Sequence, residues 1–533
     1  MLNPSRTWPG ILSAGLIIAL VAGSILALLI QSPTLNPGAL WHDSYLRHVT
    51  AFTFKQASLS VLLSVGLAIP VAHALYRRHF PGRALLLRLF SMTLVLPVLV
   101  GVVGLVAIYG NRGLIADGLS VFGFSLPFNL YGLGGILLAH VFFNLPFSAR
   151  LLLQSLEQIP AEQVQLANHL GIRGWHRFRL IEWPYMRQQL PHVAGLVFML
   201  CFTSFATVMA LGGGPGATTI ELAIYQALRF DFDLQTGAIL AVWQMLLCGA
   251  LALVIQKWAR PVATESSLKN TSGAHLPAAL DSSTAKKWDT LWIALVCLLT
   301  LPPLLVVVIR GLNPQGLAIL AHSELWYAVL SSMKVSIFAT ILALTLAVAL
   351  LLASRFWRYN GLGGRADRIE LVGSIILVTP GLVISTGLFL LLRPVADVFG
   401  MAFWLVTLVN ALMALPYLIK ILSQPLFQVA QQYTPLCTSL GIKGLNRLRI
   451  VEWSLVRKPL AQGVALAMVL SIGDLGAIAL FGSQDFRTLP LYLYQLMGSY
   501  QLAASATVAL LLMLLSLGLY WLIEKIMTRK VAC

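Results

Sequence analysis

The stretch GIRGWHRFRLIEWP at residues 171–184 recurs as GIKGLNRLRIVEWS at residues 441–454, 270 residues later. Six residues of the first copy, Gly171, Gly174, Arg177, Arg179, Glu182 and Trp183, recur as Gly441, Gly444, Arg447, Arg449, Glu452 and Trp453. Repetition at about half the chain length indicates two copies of one structural unit. The stretch is polar and charged in a mostly apolar chain, so burial alone does not explain it.

The repeated stretch predicts an amphipathic helix that begins near Trp175. Phe178 and Ile181 fall on its apolar stripe, and Glu182 falls within that stripe. One interpretation is a helix on the membrane surface, with Glu182 paired with Arg179 one turn earlier. The other is a docking helix whose stripe and carboxylate contact another protein. Because the pattern occurs twice in register, we favour docking.

Composition indicates an all-α integral membrane protein. The chain is 58% hydrophobic and 10% charged, whereas soluble domains carry about 25% charged residues. Three of the five cysteines fall in apolar runs and the other two on the predicted cytoplasmic side, so no disulfides are expected. The net charge of +17 follows membrane topology, and no nucleic-acid partner is expected.

Apolar runs long enough to cross a bilayer, which needs about 20 residues, predict twelve transmembrane helices. The predicted spans are 11–30, 55–75, 89–109, 132–153, 193–211, 238–258, 290–309, 328–353, 371–392, 402–423, 461–481 and 503–524. The first run lacks a convincing small-residue cleavage site and has full span length, so we predict a retained helix rather than a signal peptide.

The distribution of Lys and Arg predicts the orientation of these spans. With the N-terminus inside, inward segments hold 28 of the 36 basic residues and outward segments hold 8. Both copies of the repeated stretch, and both termini, are then cytoplasmic. A cytoplasmic position alone makes loops basic, so the repeated pattern, not its charge, favours docking.

The segment 261–289 is rich in Ser, Thr, Ala and Pro and predicts a cytoplasmic linker. It would join a first repeat, 1–260 with a core at 55–258, to a second, 290–533 with a core at 328–524. Each half holds six spans. Six is even, so the halves have the same orientation and the repeat is parallel.

Motifs of ATP hydrolysis are absent from the sequence. There is no G-x-x-x-x-G-K-[ST] and no Gly-Lys dipeptide, so the phosphate-binding loop of an ATPase is missing. The run LGGGPG at 211–216 predicts a turn or re-entrant segment. No metal-ligand spacing occurs among the ten histidines. We predict a transport subunit without a cofactor of its own, not an enzyme.

The repeated stretch resembles the "EAA" loop of ABC-importer permeases, E-A-A-x3-G-x9-I-x-L-P. The first copy matches it at Ala167, Gly171, Ile181 and Pro184, and the second keeps Gly441 but departs elsewhere. In that family the loop forms a short helix, a turn at the glycine, and a second helix docked on the ATPase subunit. The resemblance implies coupling to the ATPase through Gly171, Gly174, Arg179, Glu182, Gly441, Gly444, Arg449 and Glu452.

Four further stretches resemble fused permeases of thiamine and thiamine-pyrophosphate importers. They are YRRHFPGRALLLRL (76–89), GILLAHVFFNLPF (135–147), LGGGPGATTIELAIYQAL (211–228) and SIGDLGAIALFGSQDFRTLPLYLYQ (471–495). This implies a multi-pass chain in the lipid of a bacterial inner membrane, with a periplasmic thiamine-binding protein and two copies of an ATP-binding subunit. Fused ferric-iron permeases share the architecture and are the alternative. An ion-driven secondary transporter would not need two matched cytoplasmic helices.

Asp474 is the one acidic residue that we find well inside a predicted span, and its repeat equivalent is Ser204. A carboxylate at a helix centre costs about 2.5–3.5 kcal/mol on insertion scales, so a partner is implied. We favour a helix-break cap beside Gly476; the alternative is that Asp474 and Ser204 line a substrate path and favour a cationic ring. His140, equivalent to Asn410, predicts an interhelical hydrogen bond.

Overall fold

The structure is a computed structural model, and it describes most of the chain. The described ranges are 7–31, 43–93, 95–124, 128–258, 283–377, 379–394, 397–442 and 444–528. Within these ranges the regular elements are helices, and no strand occurs. Residues 261–282 of the predicted linker lie outside them. The remaining residues, up to 289, are helical, because a helix begins at Ser283.

The first half comprises eleven helices. They are α1 (Trp8–Gln31), α2 (Ser44–Arg77), α3 (Arg83–Met92), α4 (Val98–Tyr109), α5 (Leu114–Val121), α6 (Leu133–Leu156), α7 (Ala161–His169), α8 (Trp183–Phe202), α9 (Phe205–Leu211), α10 (Ile220–Arg229) and α11 (Leu234–Trp258). A single helical turn, Gly174–Arg177, and a π-helical turn, Phe178–Glu182, lead into α8.

In the described residues the second half repeats this order, except that it has no counterpart of α5 and that one long helix takes the place of α6 and α7. Its helices are α12 (Ser283–Gly311), α13 (Ser323–Tyr359), α14 (Gly363–Ser374), α15 (Gly381–Leu392), α16 (Ala402–Ser439), α17 (Trp453–Gly473), α18 (Gly476–Phe481), α19 (Leu489–Gly498) and α20 (Leu502–Thr528). The turns Gly444–Arg447 and Leu448–Glu452 lead into α17, and the second of them is again π-helical. The two-unit organisation predicted from the repeat therefore extends to the helices.

The described ranges contain ten helices long and apolar enough to span a membrane, and the bent pair α8–α9 makes an eleventh. The shorter apolar helix α15 occupies part of the remaining predicted span, 371–392. Four predicted spans, 89–109, 193–211, 371–392 and 461–481, are not single helices. Pro97 and Pro380 stand directly before α4 and α15. Proline lacks the N–H that a continuing helix would need, so each proline interrupts its predicted span.

Each half is built around one long helix. In the first half α2 packs against α6 and α8, and in the second half α13 packs against α16 and α17. A hydroxyl on each long helix holds a later short helix. Thr53 Oγ1 accepts a hydrogen bond from the Ile220 N–H at 3.0 Å, and Ser332 Oγ accepts one from the Leu489 N–H at 2.7 Å. Helices α10 and α19 are thus anchored in the same way.

The first helix of each half packs against the other half. Helix α1 contacts α13 and α15, whereas α12 contacts α2 and α4. Glycines permit this close approach: a Cβ on Gly10 would lie 2.6 Å from the carbonyl oxygen of Ala349, and one on Gly104 would lie 2.5 Å from that of Pro303. The two sequence halves therefore exchange their first helices.

A buried ion pair fastens α12 to the first half. Asp289, which the sequence placed in the linker, is buried on α12 and its Oδ2 lies 2.7 Å from Arg78 Nη2. Arg77 Nε lies 3.8 Å from the same oxygen. Both arginines belong to the inner end of α2 in the predicted topology. The second half therefore begins in contact with the first.

Candidate functional site

Both copies of the repeated stretch form the same backbone turn. After α7 the chain reverses at Gly171, whose φ is +69°, and the Ile172 N–H donates to the carbonyl oxygen of Ala167 at 2.9 Å. In the second copy Gly441 has φ +67°, and the equivalent hydrogen bond also measures 2.9 Å. A bond spanning five residues together with a left-handed glycine defines a Schellman motif, which ends a helix.

Four glycines of the repeated stretch adopt left-handed backbone conformations. Gly171 and Gly174 have φ of +69° and +56°, and Gly441 and Gly444 have φ of +67° and +60°. A Cβ added at any of them would meet nothing within 4 Å. Backbone conformation rather than lack of space therefore requires glycine here, since the left-handed region costs other residues about 1–2 kcal/mol.

Glu182 is buried against its own chain, with 1% of its surface exposed. Its Oε2 lies 2.8 Å from His73 Nε2 on α2, and its Oε1 lies 3.0 Å from Arg177 Nε. The expected pairing with Arg179 is wrong: Arg177 is the partner, and Arg179 is exposed. The carboxylate therefore attaches the repeated stretch to the end of α2.

The second copy uses the same anchor with a different basic partner. Glu452 Oε1 lies 3.1 Å from Arg355 Nη1 on α13 and 3.1 Å from Arg447 Nε. Arg447 is the repeat equivalent of Arg177, and Arg355 takes the place that His73 has in the first half. Each long helix thus holds one repeated stretch through a glutamate, which is buried in the first copy and partly buried in the second. The first glutamate pairs with a histidine and an arginine, and the second pairs with two arginines.

In the first copy the apolar stripe predicted for docking faces the protein instead, whereas Leu448 of the second copy is exposed. Phe178 packs edge-on against His73, with ring centroids 5.0 Å apart, and Ile181 packs against the core. The prediction assumed that each residue rotates the helix by about 100°. The chain from Phe178 to Glu182 is instead a π-helical turn, which has more residues per turn than an α-helix and therefore a smaller rotation per residue. A different apolar set is exposed at equal positions in the two copies. It comprises Leu166, Leu170 and Leu180 in the first and Leu436, Leu440 and Ile450 in the second.

Ser204 and Asp474 lie at equivalent helix breaks. The axes of α8 and α9 differ by 53° across Thr203 and Ser204. Asp474 follows α17, and its two carboxylate oxygens accept hydrogen bonds from the Gly476 and Ala477 N–H groups, both at 3.2 Å. Asp474 thus makes the backbone contacts of a helix cap.

His140 joins three helices of the first half. Its Nε2 lies 2.8 Å from Ser204 Oγ, and its Nδ1 lies 2.8 Å from Ser60 Oγ on α2. The interhelical hydrogen bond predicted for His140 is confirmed. In the second half Asn410 donates to Ser471 through its Nδ2, at 3.1 Å from the hydroxyl.

Glu221 is a buried acid that sequence reasoning missed. It lies at the start of α10 with 3% of its surface exposed, although residues 212–237 were predicted to lie outside the membrane. Gln244 on α11 interacts with it and is fully buried. The sequence did contain a signal for its burial, since Glu221 precedes an apolar run that continues the same helix. In the described ranges no three His, Cys, Asp or Glu residues are grouped to hold a metal ion.

The glycine run at 211–216 forms a turn, as predicted, with Gly213 at φ +70° and Gly214 at φ +142°. It lines an open cavity of about 570 Å³ together with His48 and Lys55 on α2 and Tyr131 before α6. The Gly132 N–H donates to the carbonyl oxygen of Leu211 at 2.7 Å and fixes one wall. The run is therefore a structural turn next to an open surface cavity.

The helices and the paired repeated stretches are typical of a membrane transport protein made of two like halves. Residues 64–262 match the family of binding-protein-dependent transport system inner membrane components. The thiamine transport system permease protein ThiP of Salmonella typhimurium is 49% identical over 525 residues, 98% of this chain and 97% of that one. ThiP of Escherichia coli is 48% identical over 530 residues, 99% and 98%. ThiP of Haemophilus influenzae is 39% identical over 516 residues, 96% and 95%.

The chain belongs to the ThiP permease family. It is a component of a binding-protein-dependent transport system of the inner membrane and a transport subunit rather than an enzyme. The comparisons give no support to the ion-driven secondary transporter.

Proposed function

We propose that the chain is the membrane-spanning permease of an ATP-driven importer of thiamine and its phosphates. Identity of 39–49% to thiamine transport permeases over nearly the whole chain carries this proposal. The two like halves supply a pathway that opens alternately to either side, and a separate binding protein delivers the substrate. ATP is hydrolysed outside this chain, in a partner subunit.

The two repeated stretches are the elements that couple the permease to ATP hydrolysis. Each presents exposed aliphatic side chains, three leucines in the first copy and two leucines and an isoleucine in the second, on a segment that a glutamate anchors. Trp175, 69% exposed, adds to the first of these surfaces. An anchored apolar surface suits a rigid docking element, since little conformational entropy remains to be lost on binding. Two such surfaces fit two copies of an ATP-binding subunit.

The glutamates and the glycines have different roles in this coupling. Glu182 and Glu452 transmit movement, because each ties its docking segment to the long helix of its half. Gly171, Gly174, Gly441 and Gly444 shape the turns. Arg179 and Arg449 are exposed and are available to an acidic surface of the partner.

The orientation that fits this role places the repeated stretches and both termini in the cytoplasm. The split of 28 inward and 8 outward basic residues supports it. His73, Arg77, Arg78 and Arg355 then lie at the inner ends of α2 and α13. The glutamate anchors are thus on the side where ATP is hydrolysed.

Reconstitution tests the proposal. Proteoliposomes containing the permease, the ATP-binding subunit and the thiamine-binding protein are expected to import labelled thiamine only when ATP is enclosed on the cytoplasmic side. Omission of either partner should abolish import. Import of ferric iron without import of thiamine would contradict the proposal and favour the iron-permease alternative.

A further inference from the structure

One face of α10 meets the second half of the protein. Glu221, Tyr225 and Arg229 are spaced four residues apart and therefore lie on the same face of this helix. Arg229 Nη2 donates to the carbonyl oxygen of Gly482 at 2.9 Å. Helix α10 also packs against α15 and α18, both from the second half. This face therefore lies at the interface between the halves.

The same face brings two carboxyl groups together. Arg229 lies eight residues after Glu221, and its partner Gly482 lies eight residues after Asp474. Asp474 accepts a hydrogen bond from the Gly476 N–H at the start of α18, and α18 packs against α10, which carries Glu221. The two carboxyls interact electrostatically. One comes from each half of the chain.

No basic side chain of the described residues forms an ion pair with Glu221 or Asp474. Gln244 is fully buried next to Glu221, and neither its amide oxygen nor its amide nitrogen has a hydrogen-bond partner in the described structure. A buried amide without hydrogen-bond partners and a buried carboxyl without an ion-pair partner are costly in a protein interior. Intramembrane acids that lack a basic neighbour are typical of ion or substrate pathways.

Aromatic rings surround this polar group. Tyr225 follows Glu221 on the interface face and lies close to Tyr494 of the second half. Phe205, next to the helix break at Ser204, packs edge-on against Tyr225 with ring centroids 5.3 Å apart. Aromatic faces attract organic cations, and the attraction is stronger when water is excluded. Carboxyls and tyrosines together suit a flat organic cation better than a metal ion.

We propose that Glu221 and Asp474, with Gln244 and Tyr225, form a binding site for an organic cation between the two halves. The site rests on the proposed function, in which thiamine with its positively charged thiazolium ring passes between them. The cation supplies the charge that the two carboxyls lack in the chain itself. Because each half contributes one carboxyl, relative movement of the halves takes the site apart and releases the cation.

The experiment compares thiamine with a neutral analogue in which carbon replaces the charged ring nitrogen. Proteoliposomes receive saturating binding protein loaded with either compound, so that selection by the binding protein does not limit the rate. We expect Glu221→Gln and Asp474→Asn each to lower thiamine import about tenfold, equivalent to one intermediate cation–π or ion-pair contact. Import of the neutral analogue should change less than about twofold on the same scale.

Two controls separate binding from structure. Asp117→Asn removes a carboxylate from an exposed position on α5 and should leave both import rates unchanged. Glu221→Asp keeps the charge and should restore most of the preference for thiamine. Wild-type import of thiamine by both neutral variants would overturn the cation site, as would an equal loss for both compounds. Failure of the wild-type complex to import thiamine would instead refute the proposed function, and the cation site with it.

Discussion

Replacing Gly171 and Gly441 by alanine tests whether the left-handed turns position the docking segments. Both glycines have φ near +68°, at +69° and +67°, and a Cβ would meet nothing within 4 Å at either position. The substitution therefore introduces no clash. Its only local effect is to make the observed backbone conformation unfavourable.

The magnitude follows from that conformation alone. An alanine in the left-handed region costs about 1–2 kcal/mol, which is a factor of about 5–30 in the population of the turn. The turns are far apart in sequence and make no shared contact, so the double variant should lose about 2–4 kcal/mol. Asparagine at the same positions should lose less, because it tolerates this region better than alanine.

The assay is the affinity of the ATP-binding subunit for permease in lipid nanodiscs, measured together with ATP turnover stimulated by loaded binding protein. Each single alanine variant should bind about 5–30-fold more weakly. Gly364→Ala is the matched control, because Gly364 lies on α14 with open space and no left-handed φ. It should bind normally. Wild-type affinity and turnover in the Gly171/Gly441 double variant would refute the reasoning.

Three further predictions concern the anchors and the topology. Glu182→Ala should destabilise the first docking segment by about 1–3 kcal/mol, because Arg177 loses its partner. His73→Arg should be tolerated, since it gives the first anchor the arginine that the second anchor has. Co-purification of the ATP-binding subunit with each variant distinguishes the two outcomes. Single cysteines at 485 and 367, both exposed, should react with an impermeant thiol reagent in intact spheroplasts only at 485; labelling at 367 would contradict the orientation. Asp289→Ala should lower the thermal midpoint of the permease, because α12 loses its ion pair with Arg78; an unchanged midpoint would show that this pair contributes nothing.

The features that the sequence predicted correctly are those that depend on the type of a single residue or on a short run of neighbouring residues. Apolar runs of span length, the duplicated stretch and the glycine turns need no tertiary information. Gly171 and Gly441 show why: glycine adopts positive φ more readily than other residues, so its presence alone indicates the turn. The helix break at Asp474 was visible for a similar reason, because a carboxylate beside Gly476 suits a cap.

The features that the sequence did not predict depend on how helices meet. The outward face of the docking segment was assigned wrongly, because a π-helical turn between Phe178 and Glu182 changes the angle per residue. Arg177 became the partner of Glu182 for the same reason. Glu221 was missed because α10 is too short to register as a span, and its burial depends on packing against α11 of its own half and against α15 and α18 of the other half.

Because the two halves exchange their first helices, α1 is synthesised long before the helices of the second half that it packs against. Gly10 on α1 packs against Ala349 and Ala353, which leave the ribosome more than 300 residues later. At about 5–20 residues per second, this delay is roughly 15–60 s. During that time α1 sits in lipid without its partners, which its apolar sequence permits, because lipid tails are as apolar as the leucines that it will contact. The first helix made is therefore among the last to reach its final neighbours.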